Sequence, residues 1–133
     1  MPDKFNYLSP EWAAEAQKRL STELPPEKMN NITTSMSNIY RNCPDKKERY
    51  FFVQAENGVV TKVEVGDGEP PKAEFMITGD YDTFAKISSA QMSSQRALMT
   101  GKLKVRGNMA KALKLAAVAD RLNKVLSQIP TNY

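Results

Sequence analysis

Gly101-Lys102-Leu103-Lys104-Val105-Arg106-Gly107-Asn108-Met109 runs directly into a long helical pattern that extends from Ala110 to Ile129. Basic and apolar residues alternate over Lys102 to Arg106, as they do in a strand with one buried face. A glycine stands at each end, and Asn108 is a good helix cap. The helix that follows carries two apolar stripes. Met109, Leu113 and Ala116 form one, and Leu115, Val118, Leu122, Val125 and Ile129 form the other. Together they are wider than a single packing seam requires. A strand–helix unit of this kind needs a cover for its apolar side.

Upstream, the pattern supplies that cover. Ser9-Pro10-Glu11 starts a helix, with Ser9 as cap and Pro10 at the first helical position. Trp12, Ala16 and Leu20 give it one apolar face, and Pro25-Pro26 ends it. Ile32, Met36 and Tyr40 share a face of a strand over Ile32 to Arg41, with Thr34 and Asn38 weakening that face. After the turn Pro44-Asp45-Lys46-Lys47, Arg49 to Glu56 reads as a second strand. Asn57-Gly58 then closes a type I′ hairpin onto Val59 to Val65.

Residues 66–72 form a loop. Seven residues span at most about 23 Å, and skipping three strand positions needs about 14 Å. The chain can therefore cross the sheet here rather than form another hairpin. Ala73, Phe75 and Ile77 make a fourth strand, and Asp80 is positioned to cap a helix carrying Phe84 and Ile87. A short helix over about Ser93 to Thr100 precedes the Lys102–Arg106 strand. The order predicts an α+β fold, with helices on one face of a sheet. All 133 residues are read as one domain, with 1–8 flexible.

Composition narrows the chemistry. There is no histidine and one cysteine, Cys43. His-based catalysis, an internal disulfide and Cys/His metal sites are thereby excluded. Asp80 and Asp82 point to opposite sides of the chain and suit capping better than acid–base work. Gly66-x-Gly68 lacks the rest of a dinucleotide fingerprint. The sequence thus gives no catalytic residue, cofactor or metal. No secretory pattern is visible at Met1-Pro2-Asp3-Lys4, and the cytoplasm is the expected compartment.

Charge is uneven. Residues 102–133 carry seven basic side chains and one acid, Asp120, a net +6 in a chain of net +4. A solvated face is the ordinary reading. An alternative is a basic surface module, residues 102–124, that binds nucleic acid or an anionic membrane. The lack of aromatic residues between those cations disfavours stacking on single strands. Methionines 76, 92, 99 and 109 serve either as core or as an adaptable lining for an apolar guest.

Phe75-Met76-Ile77-Thr78, Phe84, Gln95 to Met99, Gly101 to Met109 and Ala112-Leu113-Lys114-Leu115 resemble the sterol carrier protein type 2 family. The resemblance is clear over about residues 73–115, and element order extends it back to Pro10. It implies a five-stranded, mostly antiparallel sheet of order 3-2-1-4-5 with helices over one face. It also implies non-catalytic binding or transfer of a fatty acid, fatty acyl-CoA, phospholipid or sterol in an apolar tunnel between sheet and helices. The implied lining is Phe75, Ile77, Phe84, Ile87, Met92, Leu98, Met99, Leu103, Met109 and Leu113. Leu122, Val125, Leu126 and Ile129 would form a gate. Each of these is equally suited to ordinary core. Lys102, Lys104 and Arg106 could draw an anionic head group, or simply protect a sheet edge.

Overall fold

The structure, a computed structural model, describes residues 4–44 and 46–132. Asp45 of the expected turn, and residues 1–3 of the expected flexible end, lie outside the described residues.

Strands β1 (Phe5–Asn6), β2 (Thr34–Arg41), β3 (Arg49–Glu56), β4 (Val59–Asp67), β5 (Phe75–Asp80), β6 (Lys104–Arg106) and β7 (Thr131–Asn132) alternate with four helices. These are α1 (Pro10–Glu23), α2 (Tyr81–Ser88), α3 (Ser94–Met99) and α4 (Met109–Leu126), and a tight helical turn, Pro26–Met29, follows α1. The main sheet has the order β4-β3-β2-β5-β6. With the short β1 left out of the numbering, that is the 3-2-1-4-5 arrangement. Within this sheet β2 and β5 pair in parallel, and the other three pairs are antiparallel.

Local chemistry sets the joints. Asn57 and Gly58 both take positive φ, 51° and 82°, as a two-residue hairpin requires. Gly58 also donates its N–H to Ile32 O at 2.8 Å, and a Cβ there would lie 2.8 Å from Pro26 O. Only glycine fits that approach. Gly107 has φ 138°, and a Cβ on it would press to 2.8 Å from the Phe75 ring. The glycine that follows β6 thus lets the chain turn into α4 directly over β5.

Met36, Tyr40, Phe51, Val53 and Phe75 point to the helical side and are buried. Trp12 of α1 is fully buried there, edge-on to Tyr7 at 5.0 Å and to Phe51 at 5.3 Å. On the opposite side, Ser37 is fully buried, and its hydroxyl donates to Pro71 O at 2.6 Å. The 68–74 crossover therefore straps the back of the sheet.

Several expectations are corrected. Residues 5–8, expected within the flexible end, are packed onto the fold: Phe5–Asn6 pairs in parallel with Thr131–Asn132, and Tyr7 and Leu8 are buried. The strand expected from Ile32 starts at Thr34, because Ile32 N bonds back to Met29 O in a turn. The strand expected from Lys102 starts at Lys104, because the N–H groups of Lys102 and Leu103 both donate to Ala97 O at the end of α3. Asp80 stands at the cap position of α2 but makes no cap bond. Its carboxylate accepts from Asn42 Nδ2 at 2.8 Å instead.

Candidate functional site

Helices and sheet do not close completely on one another. Between them lies a cavity of about 60 Å³. Its floor is the inward row of β2 (Met36, Asn38, Tyr40) with Phe51 and Val53 of β3, Phe75 and Ile77 of β5, and Val105 of β6. Its roof is Phe84, Ile87 and Ser88 of α2, Ser94 and Leu98 of α3, and a long face of α4.

The α4 face explains the space. Ala112, Ala116 and Ala119 lie on the lining with Leu115 and Leu122. Spacings of four and three put these alanines on one side of the helix. Methyl groups there, where larger side chains would reach the sheet, leave a gap.

No charged side chain lines the cavity. Its polar members have partners. Asn38 Nδ2 donates to Phe51 O at 3.0 Å, and Asn123 Nδ2 donates to Ser94 Oγ at 3.1 Å. Tyr40 and Ser88 each meet the Tyr7 hydroxyl at 2.6 Å. Burial, followed by the neighbouring Tyr7, holds the Tyr40 phenol well above its ordinary value. It is therefore a neutral O–H at physiological pH.

The roof is latched from α4. Asp120 accepts from Ser94 N at 2.5 Å and from Ser93 Oγ at 3.0 Å. It thus supports the start of α3, where Ser93 is already the cap, accepting from Arg96 N at 3.1 Å.

Of the residues expected to line a tunnel, Phe75, Ile77, Phe84, Ile87, Leu98 and Leu103 border this cavity, and so does Leu122, expected as part of the gate. Met92 borders a separate surface depression with Gln91, Ser93, Arg96, Thr100 and Lys102. Met99 is 71% exposed and Met109 50% exposed, so neither faces the interior. Leu113 is half-buried and off the lining. Val125, Leu126 and Ile129, expected as a gate, are buried in the core, where Leu126 is fully enclosed. In the sequence Ala116 counts only as one member of an apolar stripe and Ala119 does not stand out, since small side chains barely register in a hydrophobic pattern. Asn38 reads there as a flaw in a strand face, although Asn38 lies on the cavity floor.

The seven cations of 102–124 are dispersed in their roles. Lys111 pairs with Glu74, and Arg121 donates to Lys28 O at 2.7 Å. Lys104 and Arg106 stand exposed on the edge strand β6. Exposed basic side chains at such an edge disfavour edge-to-edge pairing. Among the described residues, no group of three or more His, Cys, Asp or Glu is placed to hold a metal ion.

The profile of the SCP-2 sterol transfer family matches residues 8–120. The chain belongs to that family. Among solved structures, sterol carrier protein 2 superposes with a TM-score of 0.81 at 21% identity, over 93% of this chain and 99% of the other. A conserved hypothetical protein from Thermus thermophilus gives 0.83 at 20% identity, over 98% and 94%. At such identities the likeness shows the shared SCP-2 fold. Among curated proteins, hydroxysteroid dehydrogenase-like protein 2 of Xenopus tropicalis is 38% identical over 77 residues, 57% of this chain and 18% of the relative. Oleate-induced peroxisomal protein POX18 of Candida maltosa is 33% identical over 84 residues, 62% of this chain and 63% of the relative. The chain thus spans under a fifth of the dehydrogenase-like protein. Membership of the SCP-2 family supports lipid binding or transfer in general.

Proposed function

We propose that this chain binds and transfers a lipid without catalysis, holding the apolar part of a fatty acid, fatty acyl-CoA, phospholipid or sterol between sheet and helices. The observation that carries this reading is the uncharged cavity walled by apolar side chains from both layers. Burying a chain of ten methylenes contributes about 8 kcal/mol before the costs of ordering.

On this reading the roof moves outward to admit a whole acyl chain. The six-residue α3 is the element suited to move, since polar contacts from Asp120 and Asn123 hold its first turn to α4.

Release to a membrane belongs to the same proposal. Met99 and Met109 are exposed apolar side chains within a segment that also carries Lys102, Lys104 and Arg106. Such a surface suits brief contact with anionic lipid. Nucleic acid is the weaker partner, because Lys111 and Arg121 are engaged within the fold. The compartment is part of the proposal too: the cytoplasm is the expectation, the peroxisome named for the Candida relative is its rival, and subcellular fractionation separates them.

Titration of the delipidated protein with a fluorescent fatty acid tests the proposal. Saturable binding that unlabelled fatty acid reverses is expected; a linear, non-competed signal would defeat the reading.

A further inference from the structure

Tyr7, Tyr40 and Ser88 place three hydroxyl groups together in an otherwise apolar region, with the Tyr7 oxygen 2.6 Å from each of the others. The cluster joins β2, α2 and the segment after β1. Two of its members, Tyr40 and Ser88, line the cavity. Each hydroxyl offers one hydrogen and two lone pairs. Tyr40 also bonds to Ser88, so each of these two oxygens has two partners within the cluster and one hydrogen-bonding position left. That holds whichever way the hydrogens point, because an oxygen that donates once and accepts once keeps a lone pair, and one that accepts twice keeps its hydrogen.

We infer that the Tyr40 and Ser88 hydroxyls, backed by Tyr7, form an internal anchor for the hydroxyl group of a neutral lipid, which enters polar end first. This rests on the lipid-binding reading and names the ligand class of that same cavity. A ligand hydroxyl both donates and accepts, so it fits either orientation of the cluster. An ionised carboxylate does not fit. No charged side chain lines the cavity, and a bare buried anion is costly to desolvate. A fatty acid would have to bind the other way round, with its carboxylate outside.

The experiment compares 1-decanol with decanoate at pH 8, each displacing a fluorescent probe from the full chain. It uses the natural protein, Ser88→Ala and Tyr40→Phe, with thermal melts of each. Decanol affinity should fall about 3- to 10-fold in both variants, as expected for one lost hydrogen bond, with decanoate changed less than 2-fold. Because the comparison is between two ligands on one variant, a general loosening of the fold moves both and is told apart. Equal losses for the two ligands, or none in either variant, would overturn the anchor and leave lipid binding standing. Failure of every ligand to bind the natural protein would sink the lipid-binding reading, and the anchor with it.

Discussion

Tyr40 of the central strand stacks on Phe84 of α2, with ring centroids 4.3 Å apart and planes inclined by 26°. Both rings border the cavity, and both are buried. This contact seats the roof on the floor at the point where the hydroxyl cluster also meets. Phe84→Ala should cost about 3–5 kcal/mol, the usual loss on emptying a buried aromatic site. Urea unfolding followed by the emission of Trp12 checks it, since Trp12 is the chain's single tryptophan and is fully buried.

Ala116 makes the space that a guest would occupy. Ala116→Leu should fill the gap beneath α4 and weaken fatty-acid binding more than 10-fold. Overpacking typically costs about 1–3 kcal/mol, and the protein should still melt cooperatively. Binding that survives in a folded variant would place the guest elsewhere.

Asp120 should control exchange more than affinity. Asp120→Ala removes two contacts from the first turn of α3. Stability is expected to fall by about 1–2 kcal/mol, as for loss of a helix cap. If α3 is the moving part, release of a fluorescent fatty acid in stopped-flow mixing should speed up several-fold. An unchanged release rate would move the opening to another element.

Glu74 links the loop before β5 to the start of α4. The hydrogen bond from Lys111, followed by that from Thr34 at 2.6 Å, holds its carboxyl below the ordinary value. Its folded-state pKa is depressed, so its contribution is present above the unfolded pKa of about 4.3 and is lost as pH falls through the lower folded value. Both partners are largely exposed, at 52% and 38%, so the contribution should stay under about 1 kcal/mol. Glu74→Gln should be slightly less stable than the natural protein at pH 6. The two should converge as pH falls through the lower folded value, as urea midpoints taken downward from pH 6 will show.

Much of this fold is legible in the sequence where a local rule acts alone. Asn57-Gly58 fixes a hairpin by its own backbone preference, and Arg49–Glu56 follows from alternation. Asn108 caps α4 as its chemistry suggests, accepting from Lys111 N at 3.0 Å. The pairing of Phe5–Asn6 with Thr131–Asn132 has no such signal, because two-residue strands carry no period and their partners lie at opposite ends of the chain. The candidate site divides in the same way. Phe75, Ile77 and Phe84 stand out as large apolar residues, and they reach the cavity. Met99 and Met109 stand out equally and face solvent. What separates them is the rotation of α3 and α4 about their axes, which tertiary packing decides. A cavity is also an absence of side chain, and Ala112, Ala116 and Ala119 become informative only once the sheet lies beneath them.

Native mass spectrometry of the full chain, as purified and after adding one equivalent of a long-chain fatty acid, tests the central claim most directly. The cavity predicts a single adduct of lipid mass on a folded protein, with 1:1 stoichiometry and loss of that adduct in Ala116→Leu. A natural protein that stays free of lipid under both conditions, or that takes up several equivalents with no effect of Ala116→Leu, would contradict it.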